Sequence, residues 1–284
     1  MAHPQIAVFA RLAKENARPT RLIFGQKTLL SRTMHDIRYD AAHDEFLVTN
    51  PYAQAILIFR GGADGEEAPV RVIHGPKTQL AGAVYSGLDR VEVDPVNNEI
   101  LVGVSNSILF FPRGANGDVA PIRVIRSADP RFRIGQTTAV DPVNNVVVAG
   151  GNLGSGNQGD QVLGGGGAMA IFDRTANGSV KPRGVIGGPK TEIVRINQMQ
   201  IYGPKGWIVA TQPGEGGEQE PENTFVGIWS IHDNGDVPPR WKLGGPKSGL
   251  KKPRGVALDI KNKEIIVADM RLNSVLTFYF PEMF

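Results

Sequence analysis

The sequence has no cysteine, few aromatic residues (7%) and no surplus of one charge: 31 Lys and Arg stand against 28 Asp and Glu, a formal net charge of +3. The missing cysteines exclude disulfides, thiol nucleophiles and thiolate-held zinc, and they are compatible with reducing and oxidising compartments alike. The near balance of charge excludes a chain-wide pull on nucleic acid, so basic character of any consequence must be local. No apolar run approaches the roughly 18 residues that a membrane-spanning helix needs. The opening MAHPQIAVFARLAKEN lacks the basic start, long apolar stretch and small-residue cleavage site of a secretory signal. A cytoplasmic protein and a secreted one with its leader removed both fit that opening. Sustained helical periodicity is missing as well.

Glycine (35) and proline (20) are abundant, a composition that places many turns between many strands. At 284 residues the chain is long enough for one large all-β domain or two ordinary ones. Self-comparison favours one. RYDAAHDEFLVTN, EVDPVNNEILVGV, AVDPVNNVVVAGG, QIYGPKGWIVATQ and ALDIKNKEIIVAD share a strand, a polar turn and a second strand. Their anchors Asp40, Asp94, Asp141, Tyr202 and Asp259 are 54, 47, 61 and 57 residues apart. A period near 50 marks a repeat architecture. The anchor aspartates are turn formers whose side chains bond the backbone after them. Each unit continues through a third apolar strand, an Asn-Gly or Asp-Gly turn and a fourth strand, the Asn-Gly pair being a strong hairpin signal.

A glycine followed by Lys190 and Thr191 invites a phosphate-loop reading, but the second glycine and the strand-to-helix context of such a loop are missing. Near-copies follow Gly25, Gly75 and Gly245, so the Gly-Pro-Lys-Thr stretch is repeat punctuation between units. The predicted fold is therefore a single all-β domain over residues 1–284, a β-propeller of four-stranded antiparallel blades with strands a to d. The chain opens at strands c and d and ends at strand c, which gives twenty-one strands. Five blades are expected, or six if the chain is a fragment of a longer protein. Residues of about 5–24 are expected to close the ring by joining a C-terminal blade of about 254–280.

Through VDPVNNEILV, the F-x-R-x-A-N-G-x-x-x-P-x-R-x-I stretch and the Gly-Pro-Lys-Thr turn, essentially the whole chain resembles the NHL-repeat propellers, and more loosely the gluconolactonase-like group. That resemblance implies the fold. It leaves activity open, because the NHL family includes protein-binding, RNA-binding and enzymatic members. Gluconolactonase-like enzymes hold a metal with Glu, Asn and Asp around the central channel, which implies, as an alternative, one divalent cation such as calcium. The matching ring here offers Asp89 and Asn197, with His35 and Arg254 where further ligands are wanted, and Arg254 would repel a cation.

Two candidate sites emerge from the blade pattern. Five residues before each anchor, at the opening of strand a, lie His35, Asp89, Gln136, Asn197 and Arg254, a polar ring at a channel mouth. The d–a loops carry eleven Lys and Arg, among them Lys27, Lys77, Arg131, Arg133, Lys190, Arg195 and Lys247, against Asp129 and Glu192. Two long b–c insertions, 151–167 and 212–225, share that face. The expected function is a non-enzymatic binding scaffold that presents this basic face to a protein or an anionic ligand, as a monomer with no metal and no cofactor. The alternative is a metal-dependent lactonase- or lyase-like enzyme. RNA binding is a weaker reading, with Tyr85 and Phe132 as the only evident stacking residues.

Overall fold

In the computed structural model, residues 4–32, 34–80, 88–104, 106–154, 166–214, 220 and 222–284 are described. Among them the chain is all β, with only single 3-10 turns between strands. Five antiparallel blades form a propeller. Blade I holds β3 (Ile37–Asp40), β4 (Glu45–Asn50), β5 (Ala55–Arg60) and β6 (Arg71–Ile73). Blade II holds β7 (Glu92–Asp94), β8 (Glu99–Val104), β9 (Ser107–Pro112) and β10 (Arg123–Ser127). Blade III holds β11 (Phe132–Asp141), β12 (Val146–Leu153), β13 (Gly167–Asp173) and β15 (Gly184–Gly187), with the short β14 (Gly178–Val180) in its last connection. Blade IV holds β16 (Met199–Tyr202), β17 (Trp207–Gln212), β18 (Phe225–Ser230) and β19 (Trp241–Gly244), and blade V holds β20 (Pro253–Asp259), β21 (Glu264–Asp269) and β22 (Ser274–Tyr279). At the other end β1 (Gln5–Val8) pairs with β2 (Arg21–Phe24).

The b and c strands read as nearly continuous apolar runs because each lies between two neighbouring blades and is buried on both faces. EILVGV and SILFFP of blade II are buried at every position but Pro112. The core is thus a series of inter-blade layers, for instance Ile56, Ile58 and Ile73 of blade I against Val91, Ile100, Val102 and Phe111 of blade II. The layer over the outer face of blade I is supplied by Ile6 and Ile23 of β1 and β2, which pack on Phe46, Val48, Leu57 and Phe59.

The recurrent aspartates act as turn formers, as expected. Asp141 Oδ1 accepts the N–H groups of Val143 (3.0 Å) and Asn144 (3.1 Å), and Oδ2 accepts from Asn144 Nδ2 (2.7 Å). Asp94 and Asp259 bond Asn97 and Asn262 in the same way. Each carboxylate, itself buried in Asp94 and Asp141, fixes the N–H groups of the turn that follows it. Replacing Asp141 with Ala is expected to cost roughly 2 kcal/mol in denaturant unfolding, and an unchanged midpoint would remove this role.

The Asn-Gly pairs do something other than close hairpins. β9 ends at Pro112 and β10 begins at Arg123, so Asn116-Gly117 sits within a longer connection. There it staples adjacent blades. Val72 N–H of blade I donates to Asn116 Oδ1 (3.0 Å), and Ile73 forms a parallel bridge with Gly117. Val124 with Asn177, Val185 with Asn234, and Leu22 with Asp64 repeat the bond at successive junctions. The residue after the glycine then reaches the Gly-Pro-Lys-Thr turn of the preceding blade: Asp118 accepts from Lys77 N–H and Asp236 from Lys190 N–H, both at 2.7 Å. Gly75 has φ 128°, and a Cβ there would lie 2.5 Å from the Asp118 carboxylate, so glycine is required by conformation and by space. Local propensity marked these sites as turns, but their partners lie a blade away.

The two arginines of the F-x-R…P-x-R-x-I stretch are also structural. Glu45 takes Arg71 of its own blade (2.7 Å) and Arg113 of the next (2.8 Å), and Glu99 takes Arg123 and Arg174 in the same way. Arginine suits this position because its planar fork can engage one carboxylate from two directions.

Candidate functional site at the channel mouth

Strands a converge on the axis of the propeller, and their opening residues meet in two tiers. In the inner tier, Asp36 Oδ1 accepts from Gln198 Nε2, while Asp36 Oδ2 accepts from Val91 N–H (3.0 Å). Gln198 Oε1 accepts from Val256 N–H (2.6 Å), which laces blades I, II, IV and V together. Below them Arg38 donates to the carbonyls of Val91 (3.2 Å) and Met199 (2.7 Å) and approaches Glu92 at 3.4 Å. Burial pushes the Asp36 carboxyl up and pushes Glu92 up to about 7, against the pull of Arg38.

The outer tier contains the predicted polar ring. His35 Nδ1 is hydrogen-bonded to Asp89 Oδ1. Burial pushes the Asp89 carboxyl up, but the bond from His35 and the Arg90 charge outweigh it and hold the group below its ordinary value. Asn197 accepts twice from Arg90, at its carbonyl (3.0 Å) and at Oδ1 (2.7 Å), and the His35 carbonyl accepts from Arg90 Nη1 (2.8 Å). His35, Asp89 and Asn197 are therefore brought together, with Arg90 as the hub. Arg254 stands within electrostatic reach of Asp89 and Arg90. Gln136 is half-buried in the middle of β11, where the register of the strand shifts between Ile134 and Thr138, its backbone against Gly103.

The ring register misses the two residues that give this mouth its electrostatic character. Arg90 lies one position further along than Asp89, and Arg195 lies two before Asn197, outside any single register. Arg195, Arg254 and Arg90 lie within electrostatic reach of one another and of Asp89, and Arg90 also acts on Asp36 in the inner tier. Desolvation and then the Arg90 charge lower the affinity of Arg195 for its proton, and desolvation followed by Arg195 and Arg90 lowers the pKa of Arg254 to about 10. Both side chains carry buried donors with no hydrogen-bond partner: Nε and Nη2 of Arg195, and Nε of Arg254. Buried unpaired donors cost about 1–3 kcal/mol each, and charged ones more.

The basic loops are more nearly neutralised than their sequence implies. Lys27, Lys77, Lys190 and Lys247 are exposed on the 3-10 turns, but Glu66, Asp118 and Asp236 from the next blade bond the backbone of the first three turns. Arg131 pairs with Asp129 at 2.8 Å, and Lys251 with Glu220 at 3.1 Å. Arg133 is half-buried in β11. Phe132 is 2% exposed and packs between blades II and III, so it offers no stacking surface. Tyr85, residues 155–165 of the first insertion and 215–219 and 221 of the second lie outside the described residues.

Among the described residues, no three His, Asp or Glu side chains converge as a metal site requires, and no helix is long and apolar enough to cross a membrane. Three guanidinium groups at the mouth favour an anion over a divalent cation. Comparison of the chain with protein-family models and with curated proteins finds no match.

Proposed function

We propose that the protein is a non-catalytic binding propeller that takes an anionic group, borne by a small molecule or a partner protein, at the mouth of its channel. The observation that carries this reading is the gathering of three arginines, Arg90, Arg195 and Arg254, within electrostatic reach of one another around Asp89. A rigid ring with inter-blade staples holds these groups in place before the ligand arrives, which lowers the ordering cost of binding. The exposed lysines of the d–a turns draw the anion toward the face and add little once it is bound. NHL-type propellers, which this chain resembles in its repeat, include binding members of this kind. The protein acts as a monomer and needs no metal or cofactor for this role.

Retention on a phosphorylated cellulose matrix at low salt tests the reading. Changing Arg195 and Arg254 together to Met removes two charges, whereas Lys261→Glu with Lys263→Glu in the opposite a–b turn shifts the charge by four. The channel pair is expected to lower the eluting salt more, and the triple variant Lys77→Glu, Lys190→Glu, Lys247→Glu to slow capture. Elution that simply follows total charge would overturn the proposal.

One observation favours a catalytic alternative of the lactonase or lyase class. His35 has its Nδ1 fixed by Asp89, the arrangement that orients an imidazole as a general base. The neighbouring arginines oppose the metal-dependent version of that chemistry. Turnover of a carboxylated lactone that vanishes in His35→Gln would favour this reading over binding alone.

A further inference from the structure

Blade V ends at β22 with no fourth strand beside it. In blades I to IV the chain returns along the third strand, and the N–H groups of Val70, Ile122, Arg183 and Arg240 donate to the carbonyls of Ile58, Phe110, Ile171 and Ile228 at 2.7 or 2.8 Å. Thr277 holds that position in β22, and among the described residues no strand pairs with its outer edge. Val275, Thr277 and Tyr279 stand exposed on one face. The glutamate that opens β21 marks the same vacancy. Glu45 and Glu99 each hold two arginines: a two-pronged one from the fourth strand of their own blade (Arg71, Arg123) and one from the next blade (Arg113, Arg174, both at 2.8 Å). Glu264 has the equivalent place at the start of the second strand, opposite the last residue of the third. Its Oε2 takes Arg11 Nη1 at 2.8 Å, and Phe9-Ala10-Arg11 matches Phe111-Pro112-Arg113, so the next-blade arginine is present. The own-blade arginine is missing.

That vacancy specifies its occupant. In blades I and II the fourth strand sets its arginine opposite Ile58 or Phe110, and an isoleucine two residues on opposite Ile56 or Ile108. The corresponding residues of β22 are Thr277 and Val275. Opposed residues of antiparallel strands share a face, so an arginine opposite Thr277 lies diagonal to Glu264, and an aliphatic side chain opposite Val275 covers it. The strands of this chain that carry such a sequence, Arg21-Leu22-Ile23, Arg71-Val72-Ile73 and Arg123-Val124-Ile125, are already paired, and a second copy could supply one only by opening a blade. We infer that the outer edge of β22 docks an extended segment of a partner protein, arginine-any residue-aliphatic, which adds antiparallel to β22, forks its arginine on Glu264 and lays its aliphatic side chain on Val275. Backbone bonds along the edge supply affinity, and the two side chains supply specificity. This edge shares no residue with the channel mouth and does not depend on anion binding there.

The fluorescent peptide APIRVIRSA, copied from residues 120–128, probes this edge. It is expected to bind the unmodified protein about tenfold more tightly than its Arg123→Gln version, and Glu264→Gln in the protein is expected to remove that preference. Thr277→Pro takes away an outward N–H at a place where an edge strand tolerates proline, so the fold is kept and binding is expected to fall at least about tenfold. Amide exchange in the complex is expected to slow in β22 and to stay unchanged in β10, the strand that the peptide copies. Equal binding of the two peptides, full binding by Thr277→Pro, or no binding at all would overturn the proposal. Exchange that quickens in β10 would show the peptide displacing its own copy, and a dimer in sedimentation that Thr277→Pro abolishes would give the edge to a second copy; either result overturns the partner assignment. Should Thr277→Pro fail to fold, the two peptides on the unmodified protein and on Glu264→Gln decide alone.

Discussion

Removing residues 1–24 is expected to lower the cooperative melting temperature by roughly 10 °C. The deleted segment supplies Ile6 and Ile23 to the layer over Phe46, Val48, Leu57 and Phe59, and burial of each such side chain contributes about 1.5–3 kcal/mol. It also supplies an inter-blade staple: Phe24 N–H donates to the Gly65 carbonyl (3.0 Å), Gly65 N–H to the Leu22 carbonyl (2.8 Å), and Arg21 Nη1 to the Ala63 carbonyl (2.6 Å). No other part of the described chain replaces these contacts. The point substitution Ile23→Ala, at a fully buried position, is expected to cost about 2–5 kcal/mol. A deletion variant that melts as the full chain does would show that blade I holds its own outer face.

The same deletion addresses closure of the ring. Blades I to IV each have four strands, and blade V has three. Val275 on β22 is 67% exposed, whereas its counterparts Ile56, Ile108, Met169 and Val226 in the other blades are buried. Arg11 meets Glu264 of β21 at 2.8 Å and so links the N-terminal segment to blade V. This exposed pair is worth under about 1 kcal/mol by itself. If residues 5–24 close the ring onto residues 254–280, as the strand order proposes, amide exchange in β21 and β22 will quicken when residues 1–24 are removed. Exchange that changes in blade I alone would place the segment there and nowhere else.

How much of the fold is readable in the sequence depends on how far apart the interacting groups lie. The aspartate turns are legible because Asp141 bonds residues two and three positions on, and a local rule sees both partners. The strands are legible because burial between blades makes Glu99–Val104 and Ser107–Pro112 apolar almost throughout. Asn116 looks like a hairpin residue for the same local reason, yet its side-chain oxygen serves Val72, 44 residues earlier. The recurrence of Asn-Gly at the repeat period was the available signal, since a staple between repeats must recur with them. Glu66, Asp118 and Asp236 escape a loop-by-loop count of charge because they enter the basic turns from the next blade.

The channel mouth shows the limit of register arithmetic. Aligning the anchors finds His35, Asp89, Asn197 and Arg254 because they hold one position in successive blades. Arg195 belongs to a loop, whose length differs between blades, and its long side chain reaches the mouth from off the register. Arg90 sits in register with Asp36 and Gln198, but its side chain turns to the outer tier, where the carbonyls of His35 and Asn197 take its donors. A ring drawn from one register thus reads as a mixed polar set, and the two further arginines tilt it toward anions.

Deep in the same channel, Glu92 is expected to make stability fall as the pH rises. The residue is 8% exposed, and burial raises its pKa from 4.5 to about 7 in the folded protein. Arg38 does not restore the charged form, because its guanidinium is held by the Val91 and Met199 carbonyls and stays 3.4 Å away. The folded state therefore keeps a proton that the unfolded chain has released. Below pH 4.5 both states hold it and nothing is lost; between 4.5 and about 7 the unfolded state binds fewer protons, so the free energy of unfolding declines. Integrated over that window the decline reaches on the order of 3 kcal/mol, and it levels off above the folded pKa. Carboxyls held low, such as Asp89 and Glu45, act with the opposite sign but below the ordinary carboxyl range, outside this window. Glu92→Gln removes the titration and keeps an acceptor for Arg38. The difference in unfolding free energy between variant and unmodified protein, measured in urea from pH 5 to pH 8, should rise in favour of the variant; Asp36 and Asp94 are the neighbouring carboxyls that act on Glu92. A difference that stays flat across that range would show that Glu92 is ionised in the folded channel and paired with Arg38 after all.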